Sequence, residues 1–133
     1  MHEFNKNCYN FVDSTVSWAE GEAECNAQSW QGVQGHLASI HSQEENTFVS
    51  RLTNGQRVWI GGTDIQSEGS WTWSDGSVMS YFNWAPNNPN NQHGNEHCMD
   101  IRTYWNDNNC ERPLKFVCKF TSNIGKRRIQ KKN

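Results

Sequence analysis

The sequence predicts an α+β fold in one domain. Apolar residues recur at helical spacing only between about residues 15 and 55, whereas short apolar runs broken by Gly, Asn and Ser, which are typical of strands, follow residue 57. A chain of 133 residues has the length of one ordinary domain. Only 34% of the residues are apolar, but seven Trp, six Phe and three Tyr supply large side chains for a core. We therefore expect two helices followed by a sheet.

The first elements are predicted to be a strand and a helix. Aromatic residues alternate with a polar one in residues 8–12, which predicts a short strand. The helix that follows has a candidate N-cap at Thr15 or Ser17 and runs to about Ala27. Its buried face is predicted from helical spacing to contain Trp18, Glu22 and Cys25, with Ala19 and Ala23 on an adjacent stripe.

A capping box predicts the start of the second helix. The Ser42 hydroxyl can accept from a free backbone N–H of the first turn, while the Glu45 carboxylate reaches back to the start of the helix. Asn54-Gly55 ends this helix. The buried face is predicted to contain Phe48, Val49 and Leu52.

Four strands are predicted after residue 57, with a turn at 74–76. These strands are residues 58–62, 71–73, 98–101 and 116–120. Because their flanks alternate like half-buried strands, four tryptophans are predicted to be core side chains: Trp59, Trp71, Trp73 and Trp84.

The charge distribution argues against nucleic acid as a partner. The formal net charge is −2, but residues 126–133 hold five of the twelve Lys and Arg and no acid, so residues 1–125 carry −7. An acidic body is compatible with binding a cation through clustered carboxylates. The basic end, residues 122–133, is predicted to be a disordered tail after a domain at 1–121.

Five cysteines in a chain of this length indicate disulfides. The sequence contains no C-x-x-C pair, which argues against a zinc knuckle. Disulfides imply an oxidising compartment, so we expect a secreted, extracellular protein. No segment approaches the roughly 18 apolar residues of a membrane span, and the first residues lack a signal segment, so we expect a mature or recombinant fragment.

A long polar segment between Asn83 and Cys110 is the predicted functional loop. It contains nine of the seventeen asparagines and almost no aliphatic residue. Loops of this length without their own secondary structure are uncommon unless they are functional or held by a ligand. Its hard oxygen donors are of the type that Ca²⁺ binds, and they lie in three pieces: Asn88-Pro89-Asn90, Glu96 and Trp105-Asn106-Asp107.

These motifs resemble the C-type lectin domain, and the resemblance covers nearly the whole chain from about Cys8 to Phe120. The matching segments stand in the family's order and approximate spacing: Trp18-Ala19-Glu20, Leu37-Ala38-Ser39-Ile40, Trp59-Ile60-Gly61-Gly62, Trp71-Thr72-Trp73, Asn83-Trp84, Trp105-Asn106-Asp107 and Phe116-Val117-Cys118. The resemblance implies two helices packed on a small mixed, mainly antiparallel sheet, with a long calcium-binding loop.

The resemblance also implies the disulfides Cys25–Cys118 and Cys98–Cys110. In the family's long form the cysteine that matches Cys8 pairs with an upstream cysteine that this sequence does not contain. Cys8 is therefore expected to be free or to join two chains, and a homodimer through Cys8 is one hypothesis.

Sugar-binding members of the family hold Ca²⁺ with a Glu-Pro-Asn or Gln-Pro-Asp tripeptide, a following Glu and the Asn-Asp after the Trp. Carried over residue by residue, this implies the calcium ligands Asn88, Asn90, Glu96, Asn106 and Asp107. The implied partner is a terminal monosaccharide of a glycan, bound through two neighbouring hydroxyls. The implied sugar contacts are Asn88, Asn90, Glu96 and Asn106, and His93 can pack on the sugar.

Asn88 departs from the family pattern, because it is neutral and one methylene shorter than Glu or Gln. Calcium then meets two carboxylates, Glu96 and Asp107, where the acidic tripeptide would give three. Ligand charge helps to set calcium affinity, so we expect a weak site that suits extracellular calcium on the order of millimolar. Mannose-type sugars are favoured over galactose-type sugars, since Asn90 matches the mannose-type tripeptide and residues 91–95 lack the galactose-type Trp.

A second, auxiliary calcium site is implied by Asp64, Glu68 and Asn91, together with Glu96. In this sequence His97 replaces a carboxylate of that site, and Asn91 is neutral. The alternative is that residues 64–68 form an ordinary solvated turn.

Two other function classes compete with the lectin hypothesis. A zinc enzyme would use His93 and His97, but Gly94-Asn95 between them is a poor helix segment and the sequence is not H-E-x-x-H. No Ser/His/Asp set or phosphate-binding glycine loop is evident, so we expect no enzyme. The stronger competitor is a domain of the same fold that binds protein, mineral or ice instead of sugar.

Overall fold

The computed structural model describes residues 1–91 and 94–122. Its helices are α1 (Trp18–Asn26) and α2 (Gln43–Leu52). Its strands are β1 (His2–Phe4), β2 (Asn7–Val16), β3 (Ser29–Trp30), β4 (Val33–Gln34), β5 (His36–Leu37), β6 (Val58–Thr63), β7 (Thr72–Trp73), β8 (Glu96–Ile101), β9 (Trp105–Asn109) and β10 (Leu114–Phe120). Neither helix is long and apolar enough to cross a membrane.

One mixed sheet organises the described chain. Six of its strands follow the order β1-β2-β10-β6-β8-β9, while β5 pairs with β10 and β7 pairs with β6. All of these pairs are antiparallel except β10 with β6. The pairing of β2 with β10 brings the two ends of the domain together. The predicted two helices on a small mixed sheet are confirmed.

Both helices begin at a serine N-cap, but the complete capping box is in α1. Ser17 Oγ accepts from Glu20 N at 3.2 Å, and Glu20 Oε1 accepts from Ser17 N at 2.9 Å. In α2, Ser42 Oγ accepts from Glu45 N at 3.0 Å. The Glu45 carboxylate instead accepts from the N–H of His41, the residue before the N-cap, at 2.8 Å. The reciprocal bond predicted for the second helix is therefore wrong.

The buried face of α1 differs from the prediction. Trp18, Gly21 and Cys25 are buried, whereas Ala19 and Ala23 are exposed. The helix has only 9 residues, and a single narrow stripe of its surface meets the sheet. The adjacent alanine stripe was therefore predicted wrongly.

The aromatic core supports the loop end of the domain. Trp59 and Trp73 are buried, and Trp71 and Trp84 are partly buried against the core, as predicted. Trp105 is fully buried and meets Trp73 and Trp84 edge to face, with ring centroids 5.3 and 5.8 Å apart. These packed rings lie beneath the segment that begins at Asn83.

Part of the segment 83–110 forms strands, although its composition predicts a loop. Residues 105–109 form β9 and pair with β8, which extends over residues 96–101. Asparagine is a poor strand former, so composition alone favours a loop there. Pairing with β8 and burial of Trp105 override that local preference.

Both implied disulfides are confirmed. Cys25–Cys118 and Cys98–Cys110 are formed, with sequence separations of 93 and 12 residues. Cys8 is free and buried, with its thiol 3.3 Å from the sulfur of Met1. A disulfide between two chains would require Met1 to move away, and dimerisation through Cys8 stays a prediction.

Candidate functional site

The β8–β9 hairpin forms the base of the site. Asp100 lies opposite Asn106, and Met99 lies opposite Asp107. The Cys98–Cys110 disulfide joins the two strands. Because side chains alternate along a strand, Asp107 points into the protein and is fully buried, whereas Asn106 is half-buried.

The loop from Asn83 lies alongside this hairpin. Trp84 forms an isolated bridge with Trp105. Two backbone bonds hold this contact: Trp105 N donates to Asn83 O, and Ala85 N donates to Trp105 O, each at 2.9 Å. A turn follows, in which Asn88 N donates to Ala85 O at 3.0 Å. This backbone pairing places Asn88 beside Asn106.

Asn88 and Asn106 contact each other through their side-chain amides. Asn88 Nδ2 donates to Asn106 Oδ1 at 3.0 Å, and the Asn88–Pro89 peptide bond is cis. The Asn106 amide is oriented from behind, since its Nδ2 donates to Asp100 Oδ2 at 3.1 Å. Asn106 Oδ1 therefore faces the loop. An ion shared by both residues requires Asn88 to turn its amide oxygen toward that point.

Asp107 ties the tripeptide to the hairpin. Its carboxylate accepts from Asn90 N at 3.1 and 3.0 Å and from Asn91 N at 2.6 Å. Asn91 in turn accepts from Glu96 N at 3.1 Å through its Oδ1. Hydrogen bonds therefore join three stretches that are separate in sequence: residues 88–91, the backbone of Glu96 and residues 106–107.

Four carboxylates are buried in the described part of the chain: Glu45, Asp64, Asp100 and Asp107. Two of them pair with a Lys or Arg side chain, Glu45 with Lys119 at 2.6 Å and Asp100 with Arg57 at 2.9 Å, while Asp64 lies 3.0 Å from His97 Nδ1. Within residues 1–91 and 94–122, Asp107 has no ion pair with a basic side chain. A buried carboxylate without a counter-charge is costly, so Asp107 suits a cation from outside the protein.

The donor set also fits calcium. The sequence predicts two carboxylates, Glu96 and Asp107, and three amide oxygens, all of which are hard ligands of the type that Ca²⁺ prefers. Asp107 is already held by backbone N–H groups, which fixes its position before any ion arrives.

Two residues beneath the site were missed by sequence reasoning. Asp100 Oδ1 accepts from Arg57 Nη1 at 2.9 Å, while its Oδ2 accepts from the side-chain amides of Asn106 and Asn108 at 3.1 and 2.8 Å. Burial raises the pKa of the Asp100 carboxyl above its ordinary value, although these hydrogen bonds and Arg57 act in the opposite direction. The available signal was an acid between two apolar residues, Met99 and Ile101, six residues before Asn106.

The residues of the implied auxiliary site are brought together only in part. His97 Nδ1 lies 3.0 Å from Asp64 Oδ1 and 3.1 Å from Glu68 Oε1, so an imidazole stands between the two carboxylates. Asn91 uses its Oδ1 to bind Glu96 N. Asp64 is only 2% exposed and accepts from Gly69 N at 2.8 Å. The alternative of an ordinary solvated turn is therefore wrong for Asp64.

Two predictions concern residues outside the described part of the chain. His93, the implied sugar contact, is one of them. The predicted basic tail is the other, since only Ser122 of residues 122–133 is described.

The chain also resembles known proteins in sequence and in structure. The sequence model of the lectin C-type domain matches residues 14–120. This chain belongs to the C-type lectin family. Family membership agrees with the fold, the order of the motifs and both disulfides.

Three relatives show the range of the family around this lectin domain. The galactose-specific lectin nattectin of Thalassophryne nattereri is 34% identical over 119 residues, which cover 84% of this chain and 72% of nattectin. The C-type lectin CEL-I from Cucumaria echinata superposes with a TM-score of 0.84 at 30% identity, covering 90% of this chain and 94% of that one. Herring type II antifreeze protein superposes with a TM-score of 0.79 at 34% identity, with coverages of 90% and 94%.

Proposed function

We propose that this C-type lectin domain is a secreted, calcium-dependent carbohydrate-binding protein. It binds one terminal monosaccharide of a glycan through two neighbouring hydroxyls. The ion is held by Asn88, Asn90, Glu96, Asn106 and Asp107.

The observation that carries this proposal is the environment of Asp107. Its carboxylate is fully buried and accepts backbone N–H groups of Asn90 and Asn91. In contrast with Glu45 and Asp100, which pair with Lys119 and Arg57, it has no Lys, Arg or His partner in the described part of the chain. A bound divalent cation would supply the missing positive charge.

The side chains around the ion can recognise hydroxyl groups. Calcium, when bound, offers a positive centre to two adjacent hydroxyl oxygens. Each hydroxyl also needs a hydrogen-bond donor and an acceptor. Asn106 has two N–H groups, and one of them is committed to Asp100, so the other is available as a donor. The Glu96 carboxylate serves as the acceptor for the same hydroxyl.

The second hydroxyl meets Asn88 and Asn90, which offer amide donors but no carboxylate. We infer that the site binds sugar weakly and prefers mannose-type equatorial diols, because Asn90 matches the mannose-type tripeptide. An Asn90→Asp variant should move the preference toward galactose, since it converts the tripeptide end to the galactose type.

Affinity chromatography tests the proposed function. In CaCl₂ the protein should be retained on mannose-agarose more strongly than on galactose-agarose, and EDTA should release it. Asn106→Ala should abolish retention, while Arg51→Gln, on the exposed face of α2, serves as the matched surface control. Passage through both columns without retention, or retention that EDTA leaves intact, would contradict the proposal.

One observation favours the second candidate function, binding of protein, mineral or ice. The side-chain amides of Asn88 and Asn106 are joined to each other by a hydrogen bond, which uses the Asn106 oxygen that the lectin hypothesis assigns to the ion. The herring antifreeze protein, at 34% identity, has the same fold. This function predicts that the columns retain nothing and that CaCl₂ leaves the unfolding temperature unchanged.

A further inference from the structure

A cavity adjoins the proposed sugar site on the side of Asn88 and Asn106. Its volume is about 370 Å³, and both asparagines line it. Arg57 and Arg102 line the same cavity, together with Tyr104. A group attached to a sugar at Asn88 and Asn106 can therefore reach two guanidinium groups without leaving the protein surface.

The lining of this cavity is positively charged. None of the described residues that line it is an acid. Arg57 donates from Nη1 to Asp100 at 2.9 Å, which engages one of the five N–H donors of its guanidinium. Asp100 itself is buried beneath the site and also holds Asn106. The Arg57 side chain remains 34% exposed, so part of it faces the cavity.

Arg102 is bound more loosely. Its Nε donates to the backbone oxygen of Gly55 at 3.4 Å, and the residue is exposed. By contrast, Lys115 pairs with Asp13 at 2.7 Å, and Lys119 is buried against Glu45. Within the part of the chain that the structure describes, no carboxylate pairs with Arg102.

Two arginines at one cavity are unusual in a domain that is acidic as a whole. Residues 1–125 carry a formal charge of −7 and contain only seven Lys and Arg, two of which meet at this one cavity. Tyr104 is 54% exposed and adds an aromatic face against which a sugar ring can pack. A cationic pair beside an aromatic ring, next to the proposed sugar site, suits an acidic saccharide better than a neutral one.

We propose that this cavity is an anion subsite, in which Arg57 and Arg102 bind a sulfate ester or carboxylate carried by the saccharide at the calcium site. This inference rests on the proposed function, because it extends the same binding site. Guanidinium groups bind sulfate and carboxylate oxygens in paired, charge-assisted hydrogen bonds, so the anionic sugar should bind roughly tenfold or more tightly than its neutral counterpart.

Calorimetry on matched sugar pairs tests this subsite. The pairs are D-mannose with D-mannose 6-sulfate, D-galactose with D-galactose 6-sulfate, and D-glucose with D-glucuronic acid, each titrated in CaCl₂ and again in EDTA. The first two pairs report on sulfate and the third on carboxylate. The quantity measured is the ratio of anionic to neutral affinity within a pair.

The variants separate the subsite from general effects. Arg102→Gln should reduce that ratio toward one, and Arg57→Lys, which keeps a positive charge for Asp100 but loses the planar fork, should reduce it by a smaller factor. Arg51→Gln, which removes an arginine from α2, should leave the ratio unchanged. Added NaCl should lower the ratio in the wild type, because exposed charges are screened.

Four outcomes overturn one proposal or the other. Equal affinities within every pair, with neutral sugars bound in calcium, overturn the anion subsite and leave the proposed function standing. An unchanged ratio in Arg102→Gln also overturns the subsite, as does anionic binding that survives EDTA, because the cavity would then act apart from the ion. Absence of binding by every sugar in calcium overturns the proposed function itself.

Discussion

Glu45, in the first turn of α2, and Asp107, in β9 beneath the loop, are both buried carboxylates, but their surroundings differ. Glu45 Oε2 lies 2.6 Å from Lys119 Nζ and accepts the Tyr9 hydroxyl, so its charge is neutralised inside the protein. Asp107 accepts only neutral backbone N–H groups among its hydrogen bonds in the described chain. The first arrangement is complete without a ligand, whereas the second leaves a negative charge that a cation can neutralise.

This contrast separates buried carboxylates that stabilise the fold from the one that is proposed to bind calcium. Asp100 also has a basic partner, Arg57, and therefore belongs with Glu45. Asp107 stands apart, although it lies on the same hairpin as Asp100. Changes at the residues that stabilise the fold should lower stability with or without calcium, and changes around Asp107 should alter the response to calcium.

The largest effect is expected from the disulfides. Replacing Cys25 and Cys118 by Ala opens a loop of 93 residues and should lower the free energy of unfolding by about 4–5 kcal/mol in the chain-entropy picture. Replacing Cys98 and Cys110, which close only 12 residues, should cost about 3 kcal/mol and should also weaken calcium binding, because this bridge joins the strands of the site. Urea unfolding with and without CaCl₂ measures both. Equal losses of calcium affinity in the two double variants would contradict the distinction between residues that stabilise the fold and residues that bind calcium.

The next effect concerns the neutralised carboxylate. Glu45→Gln leaves Lys119, which is 4% exposed, without its counter-charge and should destabilise the domain by about 3 kcal/mol. The calcium affinity of the folded fraction should not change. The double variant Glu45→Gln with Lys119→Met should recover part of the loss, since it removes both buried charges and keeps an amide oxygen that can accept from His41 N or the Tyr9 hydroxyl. Urea unfolding measures the free energies of unfolding. A Glu45→Gln variant as stable as the wild type would show that the Glu45–Lys119 pair does not stabilise the domain.

A smaller effect is expected from adding a negative charge at position 88 of the candidate calcium site. Asn88→Glu restores the third carboxylate of the family tripeptide, so the dissociation constant for calcium should fall roughly tenfold, which corresponds to about 1.4 kcal/mol. Asn88→Gln, which has the same length without the charge, is the matched control and should change calcium binding less. Calcium titration calorimetry compares them. Equal affinity in the Glu and Gln variants would mean that charge at this position is irrelevant.

The smallest effect is a pH dependence at the start of α2. Burial lowers the pKa of His41 below its ordinary value of 6.5, with a further contribution from Lys119. The unfolded chain therefore binds this proton more tightly than the folded protein does. Stability should be fully present above pH 6.5 and should decrease slightly as the pH falls below it. Thermal unfolding of the wild type and His41→Gln should show a shallower acid slope in the variant, and identical slopes would exclude His41 as a source.

Much of the fold was predictable because local signals and tertiary contacts agree. Ser17 and Ser42 cap their helices, and the apolar runs at 58–62 and 116–120 become central strands. The prediction failed where tertiary contacts override local preference. Glu45 has the position of a capping-box acid, but Lys119, 74 residues further along the chain, draws it into the core.

The candidate site was predictable as a set of residue types but not as an electrostatic arrangement. The family tripeptide and the Trp-Asn-Asp motif point to Asn88, Asn106 and Asp107 from sequence alone. The partner of each buried acid depends on strand register and on contacts between distant segments. Arg57 meets Asp100 across 43 residues, and no local pattern indicates that pair.

Thermal unfolding of the wild type and of Asp107→Asn, with CaCl₂, MgCl₂ or EDTA, tests the central claim most directly. Calcium at ten times its dissociation constant should stabilise the wild type by about 1.4 kcal/mol, magnesium should do much less, and Asp107→Asn should show no response to calcium. Glu96→Gln, which leaves the Asp107 hydrogen bonds in place, should respond more weakly than the wild type. A wild-type unfolding temperature that is the same in CaCl₂ and EDTA would contradict the account.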